Sequence, residues 1–262
     1  MPIYVPGKVT LRQTWQPMDP DAAAYITAVE TADGQALEEK VKIAIDNFVF
    51  GCKADGIWSA IKASCILAGA RTLAGALVPL VGTAPTNFNF VSGDYNRETG
   101  LVGDGSTKYL DSSYAYPVSL QNNCHSSAWF SAVGTGGLPV ATYGDASANG
   151  SFLAAVAARL YQPSGATFVP SDTATTGFRG ISRSSSASFI YRRANTNETA
   201  NIVSFAVTHQ SLGMFARRRN TGAYDNYSDA RLAFYSIGES LDLARLDARV
   251  TDLINAIGVA IP

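Results

Sequence analysis

Two segments rich in tyrosine and arginine carry the side chains best suited to hold a sugar. The first contains Tyr191 and Arg192, and the second contains Tyr224, Asp225 and Tyr227. A sugar ring stacks its CH face on a tyrosine ring, while arginine and aspartate hydrogen-bond its hydroxyl groups. If the two segments form neighbouring strands, they make one polar face lined by aromatic rings. The alternative is a solvated strand edge whose charges discourage edge-to-edge pairing.

Residues for hydrolysis are not arranged in a recognisable pattern. Cleaving a glycosidic bond requires two carboxyl groups on either side of it. Glu98 lies in a predicted turn, Glu198 in a predicted loop and Glu239 at a predicted helix start, so no acidic pair shares a strand. The only histidines, His125 and His209, have no partner nearby in the sequence; a Ser/His/Asp triad stays open, but there is no G-x-S-x-G motif. The sequence therefore favours a protein that is not an enzyme, with no catalytic residue assigned.

Metal and cofactor motifs are also missing from the sequence. Cys52, Cys65 and Cys124 have no metal-ligand spacing, are too few for a disulfide scaffold, and are interpreted as buried small side chains. The oxygen-rich tripeptides at 94–96 and 224–226 could bind calcium, but turn formation is the favoured interpretation. We expect no cofactor and no metal.

Composition limits the partners. Of the 262 residues, 47% are hydrophobic and only 16% are charged, against about 25% in a typical soluble domain. A surface built from uncharged polar residues suits strand-rich proteins and chains covered by partners. The net charge of −1 gives no attraction to nucleic acid. The amino terminus lacks the apolar core of a signal peptide, and the apolar stretch 65–81 is interrupted by Gly, Arg and Pro, so we expect no membrane insertion.

The first 18 residues are predicted to form an extended arm. Three prolines and the lack of any helical period argue against a helix or a central strand. We expect the arm to dock on a neighbouring subunit; the alternative is a frayed terminus. Its apolar residues, the predicted assembly contacts, are Ile3, Tyr4, Val5, Val9, Leu11 and Trp15.

Helical periodicity dominates the next part of the chain. Asp19 and Pro20 form a helix start, and a second helix is predicted to end at Gly51. Apolar residues from 57 to 66 predict a third helical or turn segment, followed by a crossover up to residue 85. At the other end of the chain, Glu239 or Ser240 caps a helix with an apolar stripe, and Gly258 is predicted to end it. The N-terminal helices offer apolar faces that we expect a partner to cover.

The stretch Asn87–Asp111 marks a change from helical to strand periodicity. Asp104 followed by Gly105 is a strong tight-turn signal. Strands are then predicted near 88–92, 100–103, 107–111, 126–133, 152–157, 167–169, 178–183, 187–193, 201–207, 212–217 and 229–237. Such short, evenly separated strands are typical of a β-sandwich.

Two segments of this region resemble a known family. GDGSTKYLD, residues 103–111, resembles a strand of concanavalin A-like and laminin G-like jelly rolls, and ARLAFYSIGESLDLARL, residues 230–246, resembles their closing strand and helix. With the lead-in from Ile57 to Phe88, the chain is similar, over roughly residues 55–258, to structural proteins of tailed bacteriophages that carry this domain. Because this sandwich hosts lectins, glycanases and structural modules, the resemblance bears on fold and setting more than on function.

The sequence thus predicts an α+β, mainly β chain: an arm (1–18), a helical segment with crossover (19–85), and a concanavalin A-like β-sandwich, or jelly roll, with a closing helix (86–262). The resemblance implies a non-enzymatic virion protein, such as a fibre, spike or decoration subunit, able to bind host-surface polysaccharide. Its expected partners are copies of itself, in a trimer or pentamer, and other virion proteins held through the arm. A purely structural capsid or tail component and a polysaccharide-cleaving enzyme are the alternatives.

Overall fold

The computed structural model describes residues 18–115, 117–136, 140–143, 150–153, 158–162, 176–204, 210–219 and 221–261. The predicted arm lies outside these ranges except for Met18. His209 and the strand predicted at 167–169 also lie outside them.

The described residues form four α-helices and sixteen β-strands. The helices are α1 Pro20–Asp33, α2 Glu39–Ala54, α3 Leu73–Ala76 and α4 Leu243–Ala260. The strands are β1 Ile61–Ile66, β2 Thr86–Phe88, β3 Tyr95–Asn96, β4 Gly100–Val102, β5 Tyr109–Ala115, β6 Cys124–Ala132, β7 Val140–Tyr143, β8 Gly150–Leu153, β9 Ala158–Gln162, β10 Gly177–Arg183, β11 Phe189–Arg193, β12 Thr196–Ala200, β13 Ser211–Met214, β14 Arg217–Arg218, β15 Tyr224–Asp225 and β16 Arg231–Gly238.

The strands form two sheets. Sheet A has the order β12-β11-β10-β6-β16-β4-β3, with β1 also paired to β16. Sheet B has the order β15-β14-β7-β13-β5-β2, with β8 paired to β7 and β9 to β8. The pairings are antiparallel except that between β7 and β14. The predicted α+β, mainly β class with N-terminal helices, a β-sandwich and a C-terminal helix is confirmed.

Two apolar layers hold the molecule together. The first lies between the sheets and includes Leu110, Phe130 and Leu232. The second lies between the helices and sheet A and includes Val41 of α2 and Val250 of α4. The described protein therefore has three layers, which are the helices, sheet A and sheet B.

The helical layer corrects one expectation. The apolar faces of the N-terminal helices are covered by sheet A and α4 of the same chain, not reserved for a partner. Phe48 of α2 meets Phe234 of β16 edge to face, with ring centres 5.6 Å apart. Such edge-to-face contacts stabilise beyond the area they bury. Folding of the sandwich and packing of the helices are thus coupled through β16.

The stretch predicted as a third helical or turn segment, residues 57–66, is mostly a strand. Ile61–Ile66 forms β1, which pairs antiparallel with β16. Five of its six residues are buried, and only Lys62 is partly exposed. A short apolar run of this kind does not distinguish a helix from a buried strand. Sheet A therefore includes a strand that precedes the predicted sandwich boundary at residue 86.

The helix ends confirm one prediction and correct three. The Asp19 side chain accepts a hydrogen bond from the Asp21 backbone at the start of α1, as predicted. Helix α2 continues past Gly51 to Ala54. Because Gly51 has no side chain, it leaves room for Arg249; a Cβ at position 51 would lie 2.8 Å from the Arg249 guanidinium. Helix α4 is capped by Asp242 rather than Glu239 or Ser240, and it runs past Gly258 to Ala260.

The stretch Asn87–Asp111 supplies strands to both sheets. It contributes β3 and β4 to sheet A, and part of β2 and β5 to sheet B. Between them, Asp104 Oδ1 accepts backbone hydrogen bonds from residues 106–108, and Gly105 adopts a φ of 71°. This turn, predicted from the sequence, delivers Tyr109 to the first position of β5.

The packing predicts that residues 86–262 alone do not fold as a stable sandwich. That fragment lacks α1, α2 and β1, so Phe178 and Phe234 would lose much of their apolar cover. We expect the fragment to aggregate or to melt without a cooperative transition in circular dichroism, whereas residues 19–262 should melt cooperatively. A soluble 86–262 fragment that loses its β-type spectrum in one cooperative transition would show that the sandwich folds alone from residue 86, as the sequence predicts.

Candidate functional site

The two tyrosine–arginine segments do not share a face. Tyr191 and Arg192 lie on β11 in sheet A, whereas Tyr224 and Asp225 form β15 in sheet B. Tyr191 is fully buried between the sheets, and its hydroxyl accepts a 3.1 Å hydrogen bond from Arg179 Nη1. Burial raises the pKa of Tyr191. Its ring is not open to a sugar, which corrects the prediction for this residue.

Arg192 contacts the last helix. Its Nε donates to Asp247 Oδ2 of α4 at 2.8 Å, and its Nη1 donates to the Asn195 carbonyl and to Asn197 Oδ1. Arg192 is 8% exposed and Asp247 3% exposed, and burial raises the pKa of Asp247. Removing one partner of such a buried pair leaves an uncompensated charge. Arg192 therefore anchors α4 to sheet A and is not a surface ligand for sugar.

Tyr224 of the second segment lies on the face of sheet B that points away from sheet A, which we call the outer face, whereas the Asp225 side chain points to the opposite side of β15. Leu110 and Met214 are paired across β5 and β13 and point into the core between the sheets. Side chains alternate along a strand, so the neighbouring side chains of Tyr109 and Asp111 point to the outer face, and Gly213 leaves that face open on β13. Phe88 of β2 is paired with Tyr109 and extends this face toward the sheet edge.

Four aromatic residues form a cluster on the outer face, the aromatic stack of Phe88, Tyr109, Tyr224 and Tyr227. The ring centres of Phe88 and Tyr109 are 4.4 Å apart with planes 8° from parallel, and those of Tyr109 and Tyr224 are 4.0 Å apart at 26°. Tyr227 lies 6.0 Å from Tyr109. Phe88 is at one end of the stack and 37% exposed, so it presents the most accessible ring surface. Sequence reasoning missed Phe88 and Tyr109, because only strand pairing brings them next to Tyr224.

A glycine makes room for the stack. A Cβ at Gly213 would lie 2.5 Å from the Ala216 carbonyl oxygen and 3.1 Å from Tyr224 Cε1. Any larger residue would push Tyr224 away from β13. Tyr224 is also held from the side of β14, where the Arg218 guanidinium lies 5.6 Å from its ring centre.

Arginine and aspartate side chains form ion pairs on both sides of β14 and β15. Asp225 receives two 2.6 Å hydrogen bonds from Arg217 and a third of 2.6 Å from Arg219 Nε. The bonds from Arg217, despite partial burial, hold the pKa of Asp225 below its usual range. Arg218 binds Asp111 and Ser211. Asp111 on the outer face and Asp225 on the opposite side of β15 are therefore both engaged by guanidinium groups.

This arrangement suits binding more than hydrolysis. The aromatic stack offers apolar ring surface, and Arg218 beside Tyr224 offers a fixed guanidinium that can donate to hydroxyl groups. A glycosidase needs one carboxyl group that holds a proton for the leaving oxygen. Asp225 is held ionised by its arginines, so it does not suit that role.

His125 belongs to the interior. It is fully buried; its Nδ1 lies 2.5 Å from the Glu239 carbonyl oxygen and its Nε2 lies 2.8 Å from Ser236 Oγ. Because a carbonyl oxygen can only accept, Nδ1 carries the proton and donates to it, and the unprotonated Nε2 accepts a hydrogen bond from the Ser236 hydroxyl. Both residues have no exposed surface, so this Ser–His pair is closed to a substrate.

The calcium interpretation finds no support in the geometry of either tripeptide. Asp94 binds Lys108 and the Val91 backbone, while Asp225 is held by its arginines. Across the described ranges, no three His, Cys, Asp or Glu side chains are grouped to hold a metal ion. The three cysteines are buried, and burial raises the pKa of both Cys65 and Cys124 to about 12.

In the part of the chain that the structure describes, no helix is both long and apolar enough to cross a membrane.

Comparison with known proteins gives structural matches only. No protein-family model and no curated protein sequence matches the chain. One similar solved structure is of NanB with Optactamide, at 9% identity and a TM-score of 0.34 over 50% of this chain and 23% of that one. Another is an HCR/D mutant, at 10% identity and a TM-score of 0.46 over 73% of this chain and 50% of that one. The chain thus spans half or less of these proteins, and TM-scores below 0.5 carry no inference about its function.

Burial of His125 predicts a pH-dependent stability. Burial lowers its pKa from 6.5 to about 4. Between these values the unfolded chain takes up a proton that the folded chain does not, so stability present above pH 6.5 is lost as the pH falls toward 4. His125 should lower the free energy of unfolding by about 1 kcal/mol for each pH unit in this range, and by roughly 3 kcal/mol in total.

Urea unfolding of wild type and His125→Gln between pH 7 and 4 measures this contribution. We expect the variant to be less stable at pH 7, because the Ser236 bond is disturbed, and its stability to fall less steeply with decreasing pH. Carboxylates titrate in both proteins, so the difference between the two curves isolates His125. Parallel curves would show that His125 does not titrate as predicted.

Proposed function

We propose that this chain is a non-enzymatic structural subunit of a bacteriophage-like virion that binds host-surface glycan through the outer face of sheet B. The aromatic stack, with the Arg218 guanidinium beside Tyr224, is the observation that supports glycan binding. The resemblance of residues 103–111 and 230–246 to structural proteins of tailed bacteriophages supports the virion setting. A fibre, spike or decoration subunit would present the outer face to the host surface.

Phe88 supplies the principal sugar contact in this proposal. It ends the stack and is more than a third exposed, so the CH face of a sugar can lie against it. Tyr109 and Tyr224 pack against each other and act as support. Tyr227, whose hydroxyl donates to the Tyr224 carbonyl at 3.2 Å, borders the same surface.

A purely structural role without a ligand is the second candidate. Strand β15 is at one end of sheet B, and its Asp225 is bound by two arginines. Charged side chains at such an edge discourage pairing with a strand of another chain. This protection would by itself explain why charged residues occur there. The exposed end of the aromatic stack favours glycan binding, since edge protection does not require an open phenylalanine.

Binding to an array of bacterial surface polysaccharides tests the proposal. We expect retention by at least one polymer and a loss of affinity of roughly tenfold or less in Phe88→Ala and Tyr227→Ala, because a stacked ring contributes on the order of 1 kcal/mol. Tyr224→Ala should weaken binding indirectly by loosening the stack. Ile43→Ala is the control, because Ile43 is 49% exposed but lies on α2. Wild-type affinity in all three site variants would show that the outer face is not the site.

The same polymers separate the three functional classes. We expect retention without shortening of the chains, since Asp111 and Asp225 are both bound by arginine. New reducing ends that disappear on substitution of one acidic residue would show an enzyme instead. If no polymer is either retained or shortened, the result supports the purely structural alternative.

Self-association is also part of the proposal. We assign it to the arm, residues 1–18, because its apolar residues have no local period that could bury them and the chain has few charges. A closed trimer or pentamer, or attachment to other virion proteins, would cover them. The N-terminal helices no longer support this argument, because their apolar faces pack within the chain.

Deleting residues 1–18 should weaken association without unfolding the protein. Light scattering of the full chain and of residues 19–262, beside their melting curves, measures both effects. A monodisperse full-length monomer without affinity for other virion proteins would contradict the proposal. A deletion that unfolds the protein would show that the arm belongs to the core.

A further inference from the structure

A groove with a volume of about 440 Å³ runs along one face of α1, and we call it the α1 groove. That face carries residues at helical spacing, namely Asp21, Ala24, Tyr25 and Ala28. The opposite wall is formed by Trp58, Ser59, Ile61 and residues 79–81. Ala24 and Ala28 are exposed and do not belong to the apolar layer between the helices and sheet A. The groove therefore lies outside the packing that holds the chain together.

The lining of the α1 groove is mainly apolar, and its mouth is acidic. Trp58 and Pro79 are half-buried, so part of each ring faces the groove. Lys53 Nζ lies 2.6 Å from Asp19 Oδ1 and 2.6 Å from Asp21 Oδ2, so one ammonium group is shared by two carboxylates. The Asp21 side chain is 55% exposed. This surface therefore suits an apolar peptide that carries positive charge.

Hydrogen bonds hold both walls in place. Ser64 N donates to the Val81 carbonyl at 3.0 Å and Leu80 N donates to the Ser64 carbonyl at 2.8 Å, which fixes that wall against β1. Asp19 N donates to Asp46 Oδ1 at 2.7 Å, which fixes the start of α1 against α2. A groove that is formed in advance loses little conformational entropy when a peptide enters it.

The arm has a composition that fits this groove. Ile3, Tyr4 and Val5 form its densest apolar run, and Lys8 and Arg12 are its two charged side chains. No acidic residue occurs from position 1 to position 18. The apolar run matches the lining of the groove, and the two cations match the carboxylates at its mouth.

The entry of the chain into α1 favours the arm of a neighbouring copy over the chain's own arm. Asp19 has φ −57° and ψ 133°, which is extended backbone and not a turn. The groove runs from the amino-terminal end of α1 toward Ala28, so an arm in its own groove would have to reverse direction beside Asp19, whose backbone is bound to Asp46. The stretch from Tyr4 to Met18 spans up to about 50 Å when extended, and a small domain is about 30 Å across. The apolar run can therefore reach a neighbouring molecule.

We propose that the α1 groove receives the arm of a second copy of the chain, with Ile3, Tyr4 and Val5 packed against Trp58. This inference rests on the self-association proposed for the arm. Each copy gives one arm and accepts another, which closes a symmetric assembly. Buried aromatic side chains such as Tyr4 and Trp58 are the kind that dominate the binding energy of an interface.

Blocking the groove tests the docking site. Ala24→Arg places a long charged side chain in the groove, and Thr27→Arg is the matched control, because Thr27 is exposed on α1 but does not line the groove. We expect Ala24→Arg to weaken self-association of the full chain by about tenfold or more, and Thr27→Arg to associate as wild type does, in light scattering over a dilution series. Melting curves check that both variants stay folded. Deleting residues 1–18 from the Ala24→Arg chain should cause little further loss, since both changes remove the same contact.

The results separate the groove from the arm. Wild-type association of Ala24→Arg would overturn the inference and leave arm-dependent association intact. A full-length protein that stays monomeric would overturn both the inference and the proposed self-association.

Crosslinking identifies the chain that donates the arm. Pro6→Cys and Ser59→Cys chains are co-expressed with different tags and treated with a short bismaleimide; Ser59 is exposed in the groove, whereas the three native cysteines are buried. We expect a covalent dimer that carries both tags, and no dimer from wild type. Absence of that dimer would overturn the inference. A crosslink within single chains of the double variant Pro6→Cys/Ser59→Cys, without dimer, would place the arm in its own groove and would also overturn it.

Discussion

Burial of sheet A on both faces is the constraint on which the rest of the structure depends. Its central strand β16 pairs with β6 on one side and with β4 and β1 on the other. Leu232 and Ile237 point toward sheet B, while Phe234 points toward the helices. A strand covered on both sides is rich in apolar residues on both faces, as β16 is from Leu232 to Tyr235 and at Ile237. The helices are therefore part of the fold and not an accessory to the sandwich.

The buried polar groups of sheet A are consistent with this structural role. His125 is bonded on both ring nitrogens, and Arg192 is paired with Asp247. Polar groups in a low-dielectric interior are costly unless they are satisfied, and these contacts link the sheet to the closing segment of the chain. Residues that suggest chemistry in the sequence thus stabilise the layer contacts instead.

Sheet B differs, because its outer face carries polar and aromatic side chains rather than a helical layer. The rings of Phe88, Tyr109 and Tyr224 cover one another, and Arg218 pairs with Asp111 beside them. These contacts hold the side chains in place before any ligand arrives, which reduces the entropy lost on binding. A preorganised surface of this kind fits the sugar contact proposed for it.

The sequence by itself determined the features that depend on local chemistry. Asp19 and Pro20 begin a helix because a capping side chain and a fixed φ favour it, and Asp104 with Gly105 makes a turn for similar reasons. Alternation predicted β6, and helical spacing predicted the apolar stripe of α4. Only the tertiary structure decided which faces are covered. The hydrophobic periodicity of the sequence does not reveal that Tyr191 points into the core or that Ile61–Ile66 joins a sheet. It also does not reveal that Phe88 lies beside Tyr109 in a stack with Tyr224. Pairing between strands that are distant in the sequence creates each of these environments.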